Sequence, residues 1–126
     1  MTRGTAVRAA ALDLVAVAAF AALGRRSHGE ALAGTILVAA PFAMGAALGW
    51  LAVRAWRDPL AIRTGVAVWL GAAVAGLALR GAVFGRGLAP SFMVVAVVTL
   101  AVLIVGWRAG AAVLRRRASV AGSTAR

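Results

Sequence analysis

The chain has 126 residues, 63% of them hydrophobic and 13% charged, with a net charge of +11. A soluble domain of this size needs more polar surface, because most of its residues lie near water; here the charges cluster between long apolar runs, the pattern of a chain whose solvent is lipid. The lack of cysteine excludes disulfides, thiolate catalysis and cysteine-held metals. The fourteen basic residues, all arginine, flank apolar runs instead of forming a continuous basic domain, so anionic lipid and not nucleic acid is the expected partner.

The first span is expected at about residues 9–24, with Arg3 and Arg8 before it and Arg25-Arg26 after it. It has the basic start and apolar middle of a signal peptide, but Asp13 interrupts the apolar region. Gly24-Arg25-Arg26-Ser27-His28 is also a poor cleavage site, so the segment reads as a retained helix. The second span is expected at 29–53. Ser27 and Glu30 match a capping box, in which each side chain satisfies a backbone amide of the helix start. Pro41, near the middle of this span, removes a backbone donor and predicts a kink of the kind that bundles tolerate. Gly45 and Gly49 share a face with Pro41, which would let another helix approach closely.

The third span is expected at 59–80, opened by Asp58 as an N-cap and Pro59 at the first helical position. Ala72, Gly76 and Arg80 share one of its faces. The fourth is expected at 90–108, with Pro90 opening it. Its Val-rich stretch has β propensity, but the uninterrupted apolar length favours a membrane helix. Residues 115–126, starting with Arg115-Arg116-Arg117, are expected to form a basic, disordered cytoplasmic tail.

These spans predict an all-α membrane protein: one four-transmembrane-helix bundle over residues 1–114, multi-pass in the cytoplasmic membrane. The loops and ends on one side carry ten arginines; the other side carries Arg25, Arg26, Arg80 and Arg86. The positive-inside rule then puts both termini in the cytoplasm. Trp50, Trp56 and Trp107 fall near span ends, as interfacial aromatics do, whereas Trp69 falls mid-span, where it packs inside the bundle or faces lipid tails. At one common offset Gly24 aligns with Gly81, Gly49 with Gly106 and Trp50 with Trp107, which suggests two related helical hairpins in parallel.

Asp13 is the most informative polar residue, since an acid inside a span is costly and points to a partner or a function. Arg63, at comparable depth in the third span, is its expected partner in an ion pair that sets helix register. The competing readings are a protonatable transport site and an aspartate that snorkels to the interface. His28 is the only histidine, and with Glu30 it makes too few ligands for a metal. Ser27 and His28 lack an orienting carboxylate for hydrolysis, and acid–base pairs are scarce. The expectation is therefore no catalytic residue, no metal, no cofactor and no enzyme. Arg25, His28 and Arg80 could together form an anion or lipid-headgroup site at the opposite rim.

The string Phe20-Ala-Ala-Leu-Gly24-Arg25-Arg26-Ser27-His28 resembles the signature of a family of small prokaryotic membrane proteins, catalogued as domain of unknown function 3054. The likeness extends to Asp13, Pro41-Phe42, Gly45, Gly49-Trp50, Gly76, Leu79-Arg80, Gly85, Gly87, Ser91-Phe92 and Gly106-Trp107-Arg108. The resemblance implies a four-helix membrane protein and marks Asp13, Arg25, His28 and Arg80 as the polar positions to test first. It implies no activity.

Two functions compete at this point. One is a scaffold or partner subunit, working as a homo-oligomer or with another membrane protein. The other is a small proton-coupled transporter using Asp13. Small multidrug-resistance transporters have similar length, four helices and an acid in the first helix. This chain departs from them in having Asp instead of Glu, no tyrosine, a proline in the second helix and an arginine-rich rim. A channel is a weaker option, since no span has enough polar residues to line a pore.

Overall fold

The computed structural model describes residues 3–28, 32–83, 85 and 88–124. Its helices are α1 (Arg3–His28), α2 (Leu32–Ala52), α3 (Ile62–Leu70), α4 (Gly76–Ala82) and α5 (Pro90–Thr124). A 3-10 turn, Ala55–Arg57, follows α2, and a π-helical turn, Gly71–Ala75, joins α3 to α4 so that residues 62–82 form one span. Among the described residues four helices are long and apolar enough to cross a membrane: Arg3–Gly24, Thr35–Ala52, Ile62–Ala82 and Pro90–Gly122. At about 1.5 Å per residue, a span of this kind matches a hydrocarbon core roughly 30 Å thick. Helices satisfy their own backbone donors and acceptors, which is what lipid demands.

Helix α1 packs against α2 and α5, and the third span packs against the same two, so the four spans close into a bundle. The interior is built largely from small residues: Ala9, Ala16, Ala21, Ala46, Ala72 and Ala96 are buried. Large apolar side chains face outward, among them Leu14 and Val15 on α1, Ile36 and Leu48 on α2, and Val94, Val98 and Val102 on α5. A surface so broadly apolar is the kind that lipid covers. The larger interior groups gather where Phe20 meets Phe42 edge-on with ring centroids 5.1 Å apart, and both lie 6.2 Å from Phe92. Trp69, mid-span, donates its indole N–H to the Val97 carbonyl of α5 at 2.9 Å, which resolves its place in favour of the bundle.

The Pro41–Gly45–Gly49 face of α2 is buried against the third span. A Cβ on Gly45 would lie 2.6 Å from the Gly71 carbonyl oxygen, and one on Gly71 would lie 2.7 Å from the Gly45 carbonyl oxygen. Backbone therefore meets backbone, and it does so where the third span relaxes into its π-helical turn. This is the close approach that small residues permit between membrane helices.

Three local expectations are corrected. The third span does not start at Asp58 and Pro59. Asp58 and Pro59 instead open a turn, closed by the Ala61 amide donating to the Asp58 carbonyl, and α3 starts at Ile62. Asp followed by Pro suits the first two positions of a type I turn as well as a helix start, and here the turn wins. The chain after Arg115 is helical to Thr124: Arg115, Arg116, Arg117 and Ala118 are good helix formers and continue a helix already nucleated upstream. Ser27 lies within α1, which runs on to His28, so the second helix does not begin there. Glu30, and the side chains of Arg25, Ser27 and His28, fall outside the described residues.

Candidate functional site

At the end of the bundle where α1 begins, α2 stops and the third span starts, Asp13 is 2% exposed. Arg108 of α5 is fully buried beside it. The Arg108 guanidinium grips the carboxylate with both arms: Nη1 donates to Oδ1 at 2.7 Å and Nη2 to Oδ2 at 2.8 Å. Two indoles complete the carboxylate. Trp50 Nε1 donates to Oδ2 at 2.7 Å, and Trp107 Nε1 donates to Oδ1 at 2.9 Å. Arg108 is itself held on its other edge, where Nε donates to the Pro59 carbonyl at 2.8 Å and Nη1 also reaches the Ile104 carbonyl at 3.2 Å. Its guanidinium carbon lies 4.3 Å from the Trp107 ring centroid.

Each contact has a local origin. Asp13 is on the inward face of α1 with Ala9, Ala16, Val17 and Phe20, the i, i+3, i+4, i+7 spacing of one helix face. Trp50 sits in the last turn of α2, and Trp107 and Arg108 sit where α5 leaves the bundle; no residue from 109 to 122 is buried. Pro59, whose ring already forbids an amide donor, offers its carbonyl from the buried turn that precedes α3. Gly65 makes the room. A Cβ there would lie 2.7 Å from Arg108 Cδ, an atom bonded to the Nε that donates to the Pro59 carbonyl.

The arrangement ties together α1, α2, the entry to the third span and α5. Bidentate, charge-assisted bonds of this kind are short and directional. All four donors to Asp13 are indole or guanidinium N–H groups, which do not act as acceptors. Each carboxylate oxygen thus accepts two hydrogen bonds, one from Arg108 and one from an indole. Chemically the cluster holds geometry: every hydrogen-bond donor to the carboxylate comes from a guanidinium or an indole.

The expected Asp13–Arg63 pair does not form. Arg63 lies on the rim with its side chain 84% exposed and pairs with Asp58, Nη2 to Oδ2, at 3.3 Å. Arg63 falls on the outer face of α3 with Ile62, whereas its neighbours Thr64 and Gly65 are buried, and α5 delivers Arg108 to Asp13 instead. Trp50, Trp107, Arg108, Gly65 and the Pro59 carbonyl were not expected as site groups. A signal was nonetheless present: both Gly-Trp pairs of the internal alignment, Gly49-Trp50 and Gly106-Trp107, lie at the end of the bundle that holds Asp13, and their indoles converge on its two oxygens. At the far end, Arg80 lies with its guanidinium carbon 4.0 Å from the Phe92 ring centroid. Among the described residues no group of three or more His, Cys, Asp and Glu side chains could hold a metal.

Residues 10–111 match the model of the family described as Protein of unknown function (DUF3054), and the chain belongs to that family. The match covers Asp13, Trp50, Pro59, Gly65, Trp107 and Arg108. No curated protein and no solved structure matches the chain.

Proposed function

We propose that this chain is a non-catalytic, multi-pass protein of the cytoplasmic membrane, with both termini in the cytoplasm, that serves as a scaffold or as a partner subunit of a membrane assembly. The observation that carries this reading is the saturation of Asp13 by Arg108, Trp50 and Trp107. The charged pair buried between the spans is thereby committed to holding them in register, as isolated polar residues in packed interfaces can do. Arginine placement supports the orientation. The extension of α5 beyond Arg108, with Arg115, Arg116 and Arg117 exposed, supplies a surface outside the bundle for a partner.

The competing reading, a proton-coupled transporter using Asp13, requires that carboxylate to release its donors and take up a proton in each cycle. Proton flux in proteoliposomes, with and without an imposed pH gradient, separates the two. The scaffold reading expects flux indistinguishable from empty vesicles and migration of the native protein in an assembly larger than its monomer. Flux that is abolished by Asp13→Asn in a folded protein would replace it with the transporter.

A further inference from the structure

The turn between α2 and α3 carries a basic cleft that the Asp13 cluster does not use. It is lined by Val53, Arg54, Arg57, Asp58, Arg63 and Thr64. Three arginines and one aspartate thus line it, and Asp58 is already paired with Arg63 across 3.3 Å. The charge excess rests on Arg54 and Arg57, both exposed. The floor is rigid: Thr64 Oγ1 donates to the Asp58 carbonyl at 2.7 Å, and the Arg57 and Asp58 amides bond back to the Arg54 and Ala55 carbonyls. Arg54 holds a left-handed backbone, φ 51°, that a branched or bulky side chain seldom adopts. On either side the cleft gives way to apolar surface, with Leu51 and Val53 exposed before it and Trp56 and Ile62 exposed around it.

We infer that this cleft binds the phosphate of an anionic phospholipid, with Arg54, Arg57 and Arg63 around the headgroup oxygens and the acyl chains along the flanking apolar residues. The shared chemistry is a phosphate oxyanion. The apolar flanks and the position at the end of two membrane spans assign it to lipid and not to free phosphate. Guanidinium forks suit phosphate oxygens, and each basic residue near an anionic surface strengthens attachment about fivefold. The inference rests on the spans being in a membrane, which flotation of the reconstituted protein with vesicles checks separately.

The test is native mass spectrometry of the full chain released from phosphatidylcholine vesicles doped with phosphatidylglycerol. Wild type is expected to retain phosphatidylglycerol in preference to phosphatidylcholine. Arg57→Gln, which leaves the Arg63–Asp58 pair intact, is expected to weaken retention about fivefold, and R57Q/R63Q about 25-fold. The charge-matched control R115Q/R116Q should bind as wild type does. Unfolding temperatures near that of wild type establish that the rim variants remain folded. Equal loss in both double variants, or loss in neither, overturns the site. Displacement of the lipid by inorganic phosphate alone overturns the assignment to lipid.

Discussion

Asp13 and Arg108, 95 residues apart in sequence, meet as a fully buried bidentate pair with N–O distances of 2.7 and 2.8 Å. Taking two charges out of water costs several kcal/mol for each, and their attraction does little more than offset it. The consequence is specificity of arrangement: a bundle of smooth alanine and glycine faces has few features that fix its register, and this pair is one of them.

The two indoles should matter individually. Trp50→Phe and Trp107→Phe keep most of the aromatic bulk and each remove one N–H donor to the carboxylate. A hydrogen bond to a charged group contributes about 1.5–3 kcal/mol, so each variant is expected to lose stability in that range when unfolded in detergent. A loss under half a kcal/mol for both would mean that the carboxylate is held by Arg108 alone.

Gly65 and Gly106 form an internal comparison. A Cβ at Gly65 runs into Arg108 Cδ at 2.7 Å, whereas one at Gly106 meets nothing within 4 Å. Gly65→Ala is expected to displace the guanidinium and to destabilise by about 1–3 kcal/mol, the usual cost of overpacking. Gly106→Ala is expected to be neutral or mildly stabilising, since alanine favours helix by about 1 kcal/mol. Thermal unfolding of the two variants side by side decides it.

At Arg54 the backbone conformation and the side chain have opposed demands. The left-handed φ costs a non-glycine residue about 1–2 kcal/mol, and glycine is the usual residue where a helix ends this way. Arg54→Gly should therefore unfold at a higher temperature than wild type while retaining less anionic lipid. A variant that is no more stable would place the strain elsewhere.

The α5 extension should be separable from the bundle. No described side chain after Arg108 is buried, so truncation after Gly110 is expected to leave the unfolding transition of the bundle unchanged and to remove helical circular dichroism in proportion to the residues lost. A large drop in stability would show that the extension packs on the bundle in solution.

The number of spans, their order and the close face on α2 were legible in the sequence because hydropathy and small-residue spacing are local signals. Asp13 stood out for the same reason, as an acid where apolar residues surround it. Its partner was not legible. Arg63 was expected at the depth of Asp13 and Arg108 only among the arginines that flank the fourth span, and the third helix was expected to begin at Pro59, whereas it begins at Ile62. That three-residue difference accompanies a turn whose carbonyls are claimed by Thr64, six residues on, and by Arg108 from another helix. The helical tail was missed for another reason: a run of arginines reads as solvated chain, yet arginine favours a helix that has already been nucleated.

The most direct test of the clasp is a double-mutant cycle on Asp13→Leu and Arg108→Met, read as unfolding free energy in one detergent. Each single variant strands a buried charge and is expected to cost about 3–5 kcal/mol. The double variant is expected to be more stable than either single one, regaining part of the loss. Recovery is partial because the Trp50 and Trp107 N–H groups and the Pro59 carbonyl lose their partners. Single variants that unfold like wild type, or losses that simply add in the double variant, would contradict a register-setting role for the pair.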